Sequence, residues 1–168
     1  AQAGRESAMD APLLRIFVYG TLKRGGRFHD RFCGGALDIE EATVAGRVHT
    51  LPAGYPGLVV PRQSILAEGT AEALADVAAQ ARLEAAGGFS ADGGEMPDAD
   101  GWRRIGGEIL TFDDPAERLA LLDDLEDFHP GAPSLSRRSL LAVRAERSLR
   151  SVLAWTYVVD SVVSSARA

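Results

Sequence analysis

Glu126 has the setting in this chain that most suggests chemistry. It follows Leu119 by seven positions and Leu122 by four, spacings that bring side chains onto one face of a helix. Leu119, Leu122 and Leu125 make that face apolar, so the Glu126 carboxylate is aimed at the core side, while Asp124 and Asp127 point away from its middle. A carboxylate held against apolar surface loses hydration; its pKa rises and it becomes a better base near neutral pH. The spacing also admits a carboxylate at a frayed helix end that reaches back to water, and geometry alone favours that blander reading.

Other constellations are weaker. His29, His49 and His129 are far apart and lack the i, i+4 pairing of a zinc site, so no metal is expected. Cys33, between Phe32 and Gly34, reads as a small core residue and not a nucleophile. Lys23 and Arg24 before Gly25 and Gly26 do not have the order of a phosphate-binding P-loop. Asp92, Glu95, Asp98 and Asp100 lack the spacing of a calcium loop and read as a solvated charge run.

The elements that must position Glu126 can be read from periodicity. Leu13 to Tyr19 is an almost continuous apolar run ending at Gly20, the pattern of a strand buried on both faces. Phe28 and Phe32 suit a short helix. Ala42, Val44, Gly46 and Val48 alternate with more polar neighbours and predict a strand, with a short one at Leu58 to Val60. Thr70 to Ala86 predicts an amphipathic helix with Leu74, Val77, Ala78 and Ala81 at helical spacing, followed by a glycine-rich acidic loop to Gly101. Ile105 to Phe112 predicts a strand. Asp114, Pro115 and Glu117 form a helix start, with Asp114 as the capping side chain and Glu117 completing a capping box. That helix runs to about Glu126, and Arg138 to Ala145 and Val152 to Val159 are two more strands. Strands and helices do not alternate regularly, so an α+β domain around a curled or barrel-like sheet is expected.

The chain has 168 residues, enough for one domain, and 46% hydrophobic residues, enough for one core. A net charge of -6 and a pI near 5.1 argue against binding to a phosphate backbone. The single cysteine points to a reducing, cytoplasmic setting. No apolar run reaches membrane-spanning length, and the first residues lack the apolar stretch of a secretory signal. Residues 1–12 are read as a tail or leader, 13–160 as the domain, and 161–168 as a C-terminal tail. No oligomeric state is readable.

Several segments in order carry a resemblance. Tyr19-Gly20-Thr21-Leu22, the Gly54-Tyr55-Pro56-Gly57 region, Gly107-Glu108-Ile109, Leu122-Asp123-Asp124-Leu125-Glu126, and Arg138 within Pro133 to Val143 resemble the motifs of the γ-glutamyl cyclotransferase-like (AIG2-like) family. Ser136 stands where that family usually has a tyrosine. About 64–104, the alanine-rich helix and acidic loop, looks like an insertion.

The resemblance implies the family's α+β fold, a curled mixed sheet or small barrel with flanking helices. It implies a γ-glutamyl cyclotransferase: the substrate's α-amino group attacks its own γ-carbonyl, closing 5-oxoproline and releasing the amine without water. Glu126 would be the general base. Tyr19, Gly20, Thr21 and Leu22 would bind the substrate's anionic groups through main-chain N–H donors, and Tyr55, Arg138 and Tyr157 would line the pocket. The implied ligand is a small γ-glutamyl amine or peptide, with no cofactor, nucleic acid or membrane. From the departures at Ser136 and 64–104, a binding module on the same fold is the alternative.

Overall fold

The computed structural model describes residues 13–51, 56–91 and 101–160. Seven strands form one sheet: β1 (Leu14–Val18), β2 (Asp38–Thr50), β3 (Pro56–Val59), β4 (Ile65–Glu68), β5 (Arg103–Phe112), β6 (Arg137–Ala145) and β7 (Ser151–Val158). Their order is β3-β2-β5-β1-β7-β6-β4. β1 runs parallel to β7 and antiparallel to β5. A further pairing of β2 with β6, Ala42 opposite Ala145 and Thr43 opposite Arg144, closes β2, β5, β1, β7 and β6 into a five-stranded barrel. Three helices flank it: α1 (His29–Cys33), α2 (Ala73–Ala86) and α3 (Pro115–Leu125). The architecture is the α+β barrel expected from the sequence.

Two cores explain the strand sequences. Phe17, Ala42, Val44, Ile109, Leu141, Val143, Ala145 and Ala154 pack together from strands around the barrel. The alternate residues Leu14, Ile16, Val18, Leu110, Phe112, Leu140, Leu153 and Trp155 face the helices and pack with Val77, Leu119 and Leu122. β1 is therefore covered on both sides, which is why its apolar run is continuous and not alternating. A barrel this narrow needs small residues. A Cβ at Gly107 would lie 2.2 Å from the Val18 carbonyl oxygen, so only glycine lets β5 approach β1 there.

The structure corrects three local expectations. Asp114 is the N-cap residue of α3, but it makes no side-chain cap; its carboxylate instead takes the Arg118 guanidinium one turn on, at 3.0 Å. The second concerns α2. Leu74 is 70% exposed, and the buried positions of α2 are Asp76, Val77 and Gln80. Of the predicted stripe Val77 is buried as expected, whereas Leu74, Ala78 and Ala81 are exposed and the polar Asp76 and Gln80 share the buried face. The start of α2 is fixed by Asp76, which accepts the Thr70 N–H and hydroxyl, each at 2.8 Å. The third is β4, a short edge strand on β6 with a bulge between Ile65 and Ala67, unanticipated because four residues carry too little periodicity. β4 and α2 are knit into the sheet and helix layer.

Candidate active site

The site is built where β1, α3 and β7 end near one another. After β1 the chain turns at Tyr19 into a 3₁₀ turn, Gly20–Leu22. Gly20 has φ +69, a conformation glycine takes without strain. Two contacts pin the turn. His29 donates its Nδ1–H to the Leu22 carbonyl at 2.9 Å. Buried Glu108 accepts the Arg24 N–H at 2.6 Å.

Glu126 is the C-cap of α3. Asp127 follows with φ 55, a left-handed conformation tolerated by aspartate. It reverses the chain, and its carbonyl accepts the Leu135 N–H at 3.0 Å. The Ser136 hydroxyl donates to the Glu126 carbonyl, so the residue is held by its main chain while its carboxylate stays available. Glu126, Tyr19, Ser136 and Tyr157 form the polar wall of a small recess of about 10 Å³; Leu51, Pro56, Gly57, Leu135 and Val159 form its apolar wall. Among the described residues the Glu126 carboxylate has no ion pair or hydrogen bond. Burial raises its pKa from 4.5 to about 7, the range of a general base.

Behind the recess lies an ionic network. Arg138 and Tyr157 face each other across β6 and β7, and both reach Asp123, three residues before Glu126 on α3. The Tyr157 hydroxyl donates to Asp123 Oδ1 at 2.6 Å. Arg138 grips the same carboxylate with two bonds, at 2.9 and 3.1 Å. Two further donors go to Asp76 at 2.8 Å and to the Thr70 carbonyl at 3.0 Å. The guanidinium is 1% exposed, and Gly69 makes room for it: a Cβ there would lie 2.8 Å from Arg138 Nη1. Burial lowers the Arg138 pKa, but hydrogen bonds to Asp123 and Asp76 and the electrostatic influence of Tyr157 and Asp123 outweigh it, and the net shift is upward. Burial, then the Asp123 charge, pushes Tyr157 well above its ordinary value, so the phenol keeps its proton.

Of the residues singled out from sequence, Glu126, Tyr19 and Tyr157 come together on the recess. Gly20 adjoins it through Pro56, whose Cγ would sit 3.5 Å from a Cβ on the glycine. The Leu22 side chain is buried in the helix-side core, so only its main chain is open to a ligand role. Thr21 belongs to the same turn. Tyr55 lies outside the described residues, as do Asp92, Glu95, Asp98 and Asp100. Arg138 is not on the recess wall; it stands behind it and acts on Tyr157 through Asp123. Cys33 is fully buried, and burial lifts its thiol pKa to about 11, far from that of a nucleophile. Among the described residues no group of three potential ligands could hold a metal. Sequence reasoning missed Asp123 as the partner of Tyr157; its place one turn before Glu126, on the same face, was the available signal.

Comparison with known proteins bears on this geometry. Residues 16–87 match the family model described as gamma-glutamyl cyclotransferase, AIG2-like. The match contains the turn after β1 and extends through α2. The solution structure of At5g39720.1 from Arabidopsis thaliana superposes with a TM-score of 0.53 at 15% identity, covering 92% of this chain and 74% of that one; it shares the fold. No curated protein matches the sequence.

Proposed function

We propose, from the premise that residues 16–87 carry the signature of the γ-glutamyl cyclotransferase, AIG2-like family, that this chain is a γ-glutamyl cyclotransferase. The observation that carries the reading is Glu126: a carboxylate on the wall of a recess, unpaired among the described residues, with its pKa raised to about 7 by burial.

The reaction would proceed by folding a γ-glutamyl chain back on itself in the recess. Glu126 takes a proton from the substrate's α-ammonium, and the freed amine attacks the γ-carbonyl. The five-membered ring closes, the ring nitrogen gives up its second proton to water, the γ-amide C–N bond breaks, and the proton held by Glu126 passes to the leaving amine. The nucleophile is tethered to its target, so orientation replaces concentration and supplies much of the rate. The oxyanion falls to main-chain donors of the Tyr19–Leu22 turn. The first N–H groups of a helical turn have no acceptor within it, and main-chain donors fixed in advance stabilise developing charge at little reorganisation cost. The pinning of that turn by His29 and Glu108 supports the assignment.

The test is release of 5-oxoproline from γ-glutamyl amino acids, γ-glutamyl isopeptides and glutathione by wild type and Glu126→Gln. Wild-type release that is lost in a folded Glu126→Gln protein supports the reading. Equal release by both proteins removes Glu126 from the mechanism.

A further inference from the structure

A second cavity opens on the other face of the sheet from Glu126. Across β6 and β7, Arg138 stands opposite Tyr157 and Arg137 opposite Val158, and successive side chains on a strand point to opposite faces. Tyr157 packs on the helix side and borders the recess, whereas Val158 belongs to the barrel-side core. Val158 and Arg137 line a different cleft, of about 340 Å³, with Val59, Val60 and Ile65; among the described residues only Val159 borders both cavities. That volume lies at the low end of the range for small-molecule sites, about 300–1,000 Å³. Three charged residues stand on the cleft: Arg62, Arg137 and Asp160. Asp160 takes one nitrogen of Arg137, Nη2, at 2.9 Å. Arg62 opens the turn Arg62–Ser64, which the Ser64 hydroxyl pins by donating to the Pro61 carbonyl at 2.6 Å. Its exposed guanidinium has no ion pair or hydrogen bond among the described residues.

We infer that this cleft is a second ligand site, for a small monocarboxylate with an aliphatic body: Arg62 and Arg137 hold the carboxylate, and Val59, Val60, Ile65 and Val158 take the body. Two guanidiniums against the one carboxylate of Asp160 leave a single positive charge uncompensated, so a monoanion neutralises the cleft. A dianionic phosphate would set excess negative charge against Asp160, and a cation would meet two like charges. Guanidinium N–H donors match the geometry of a carboxylate, and aliphatic walls beside the pair lower the local dielectric and strengthen the attraction. The cleft shares no charged or polar residue with the recess, so the inference stands apart from the cyclotransferase reading.

An NMR chemical-shift titration of the whole chain at neutral pH tests this with four probes: hexanoate, hexylammonium, acetate and inorganic phosphate. Hexanoate is expected to bind at least about fivefold more tightly than each of the other three, the yield of one charge-assisted pair or of the buried aliphatic body. Arg62→Gln should weaken hexanoate several-fold. Asp160→Asn, which removes the competing acid and frees Arg137, should tighten it several-fold, a gain that a merely structural Arg137–Asp160 pair would not give. Glu126→Gln should leave hexanoate binding unchanged. Hexanoate that binds no tighter than the other probes, that binds Arg62→Gln as well as wild type, that gains nothing in Asp160→Asn, or that is lost in Glu126→Gln overturns the inference. If Arg62→Gln does not fold, Asp160→Asn decides in its place.

Discussion

Tyr157 and Asp123 meet at 2.6 Å, and that contact joins the recess to Arg138, the most deeply buried charge among the described residues. Tyr157 lines the cavity that holds Glu126; Asp123 belongs to the helix that ends on Glu126; Arg138 binds Asp123 from the strand beside Tyr157. Glu126 and its neighbouring phenol are thus set by one ionic network, and most of the predictions below follow from it.

A pH profile should report Glu126 directly. The base must be deprotonated to act, and burial holds its pKa at about 7. kcat/KM for 5-oxoproline release should fall about tenfold per pH unit below about 7 and level off above it. A profile that is flat down to about pH 5 would assign the base to an ordinary, solvated carboxylate.

The same shift predicts a stability effect of opposite sense to the usual one for an acid. The folded-state pKa of about 7 lies above the ordinary 4.5, so between these values the folded chain holds more protons than the unfolded one. Stability from this group is full below about pH 4.5 and is lost as pH rises through about 7. Glu126→Gln stays neutral throughout and should escape that loss, gaining roughly 2–4 kcal/mol over wild type above pH 8. Urea unfolding of both proteins at pH 5 and pH 8.5 measures it; an unchanged difference between the two would contradict the burial of Glu126.

Arg138→Leu should be severely destabilising. It leaves Asp76 and Asp123 facing each other without their cation, and breaking a buried pair in this way costs about 3–5 kcal/mol. Arg138→Lys should recover little, because an ammonium cannot fork between two carboxylates and the Thr70 carbonyl. Chemical denaturation gives both values, and a loss below about 1 kcal/mol for Arg138→Leu would mean that the network is not what holds α2 and α3 to β6.

Gly106 and Gly107 are adjacent and should behave oppositely. A Cβ at Gly107 meets the Val18 carbonyl oxygen at 2.2 Å and the Phe17 ring at 2.6 Å, whereas nothing lies within 4 Å of one at Gly106. Gly107→Ala should cost at least about 2 kcal/mol and shift the β1 turn with it; Gly106→Ala should be near neutral. Thermal melts of the pair decide it, with equal effects contradicting the narrow barrel.

What could be read from the sequence divides along physical lines. β1 and α3 were legible because their apolar patterns are dense; helical spacing put Glu126 on the apolar face, but its reading as a base and not a solvated carboxylate came only through the resemblance. α2 was legible as a helix but not by face: its buried positions include Asp76 and Gln80, which are inside because Arg138, Thr70 and the Leu13 carbonyl meet them there, and no pattern in one sequence pairs residues 62 apart. Asp114 misled for a related reason, since Arg118 competes for its carboxylate. Arg138 was legible as a site residue only through the resemblance, which does not distinguish a wall residue from one standing behind it. Ser136, read as a departure from the family pattern, turns out to anchor the Glu126 main chain.

The central claim concerns one carboxylate, and the most direct measurement is the rate of 5-oxoproline release from a panel of γ-glutamyl amines by wild type and Glu126→Gln, with folding of the variant checked by circular dichroism. A cyclotransferase with Glu126 as its base predicts release by wild type and a loss of at least about a hundredfold in the variant. A folded variant that releases 5-oxoproline at the wild-type rate, or a wild type that releases none from any member of the panel, would contradict it.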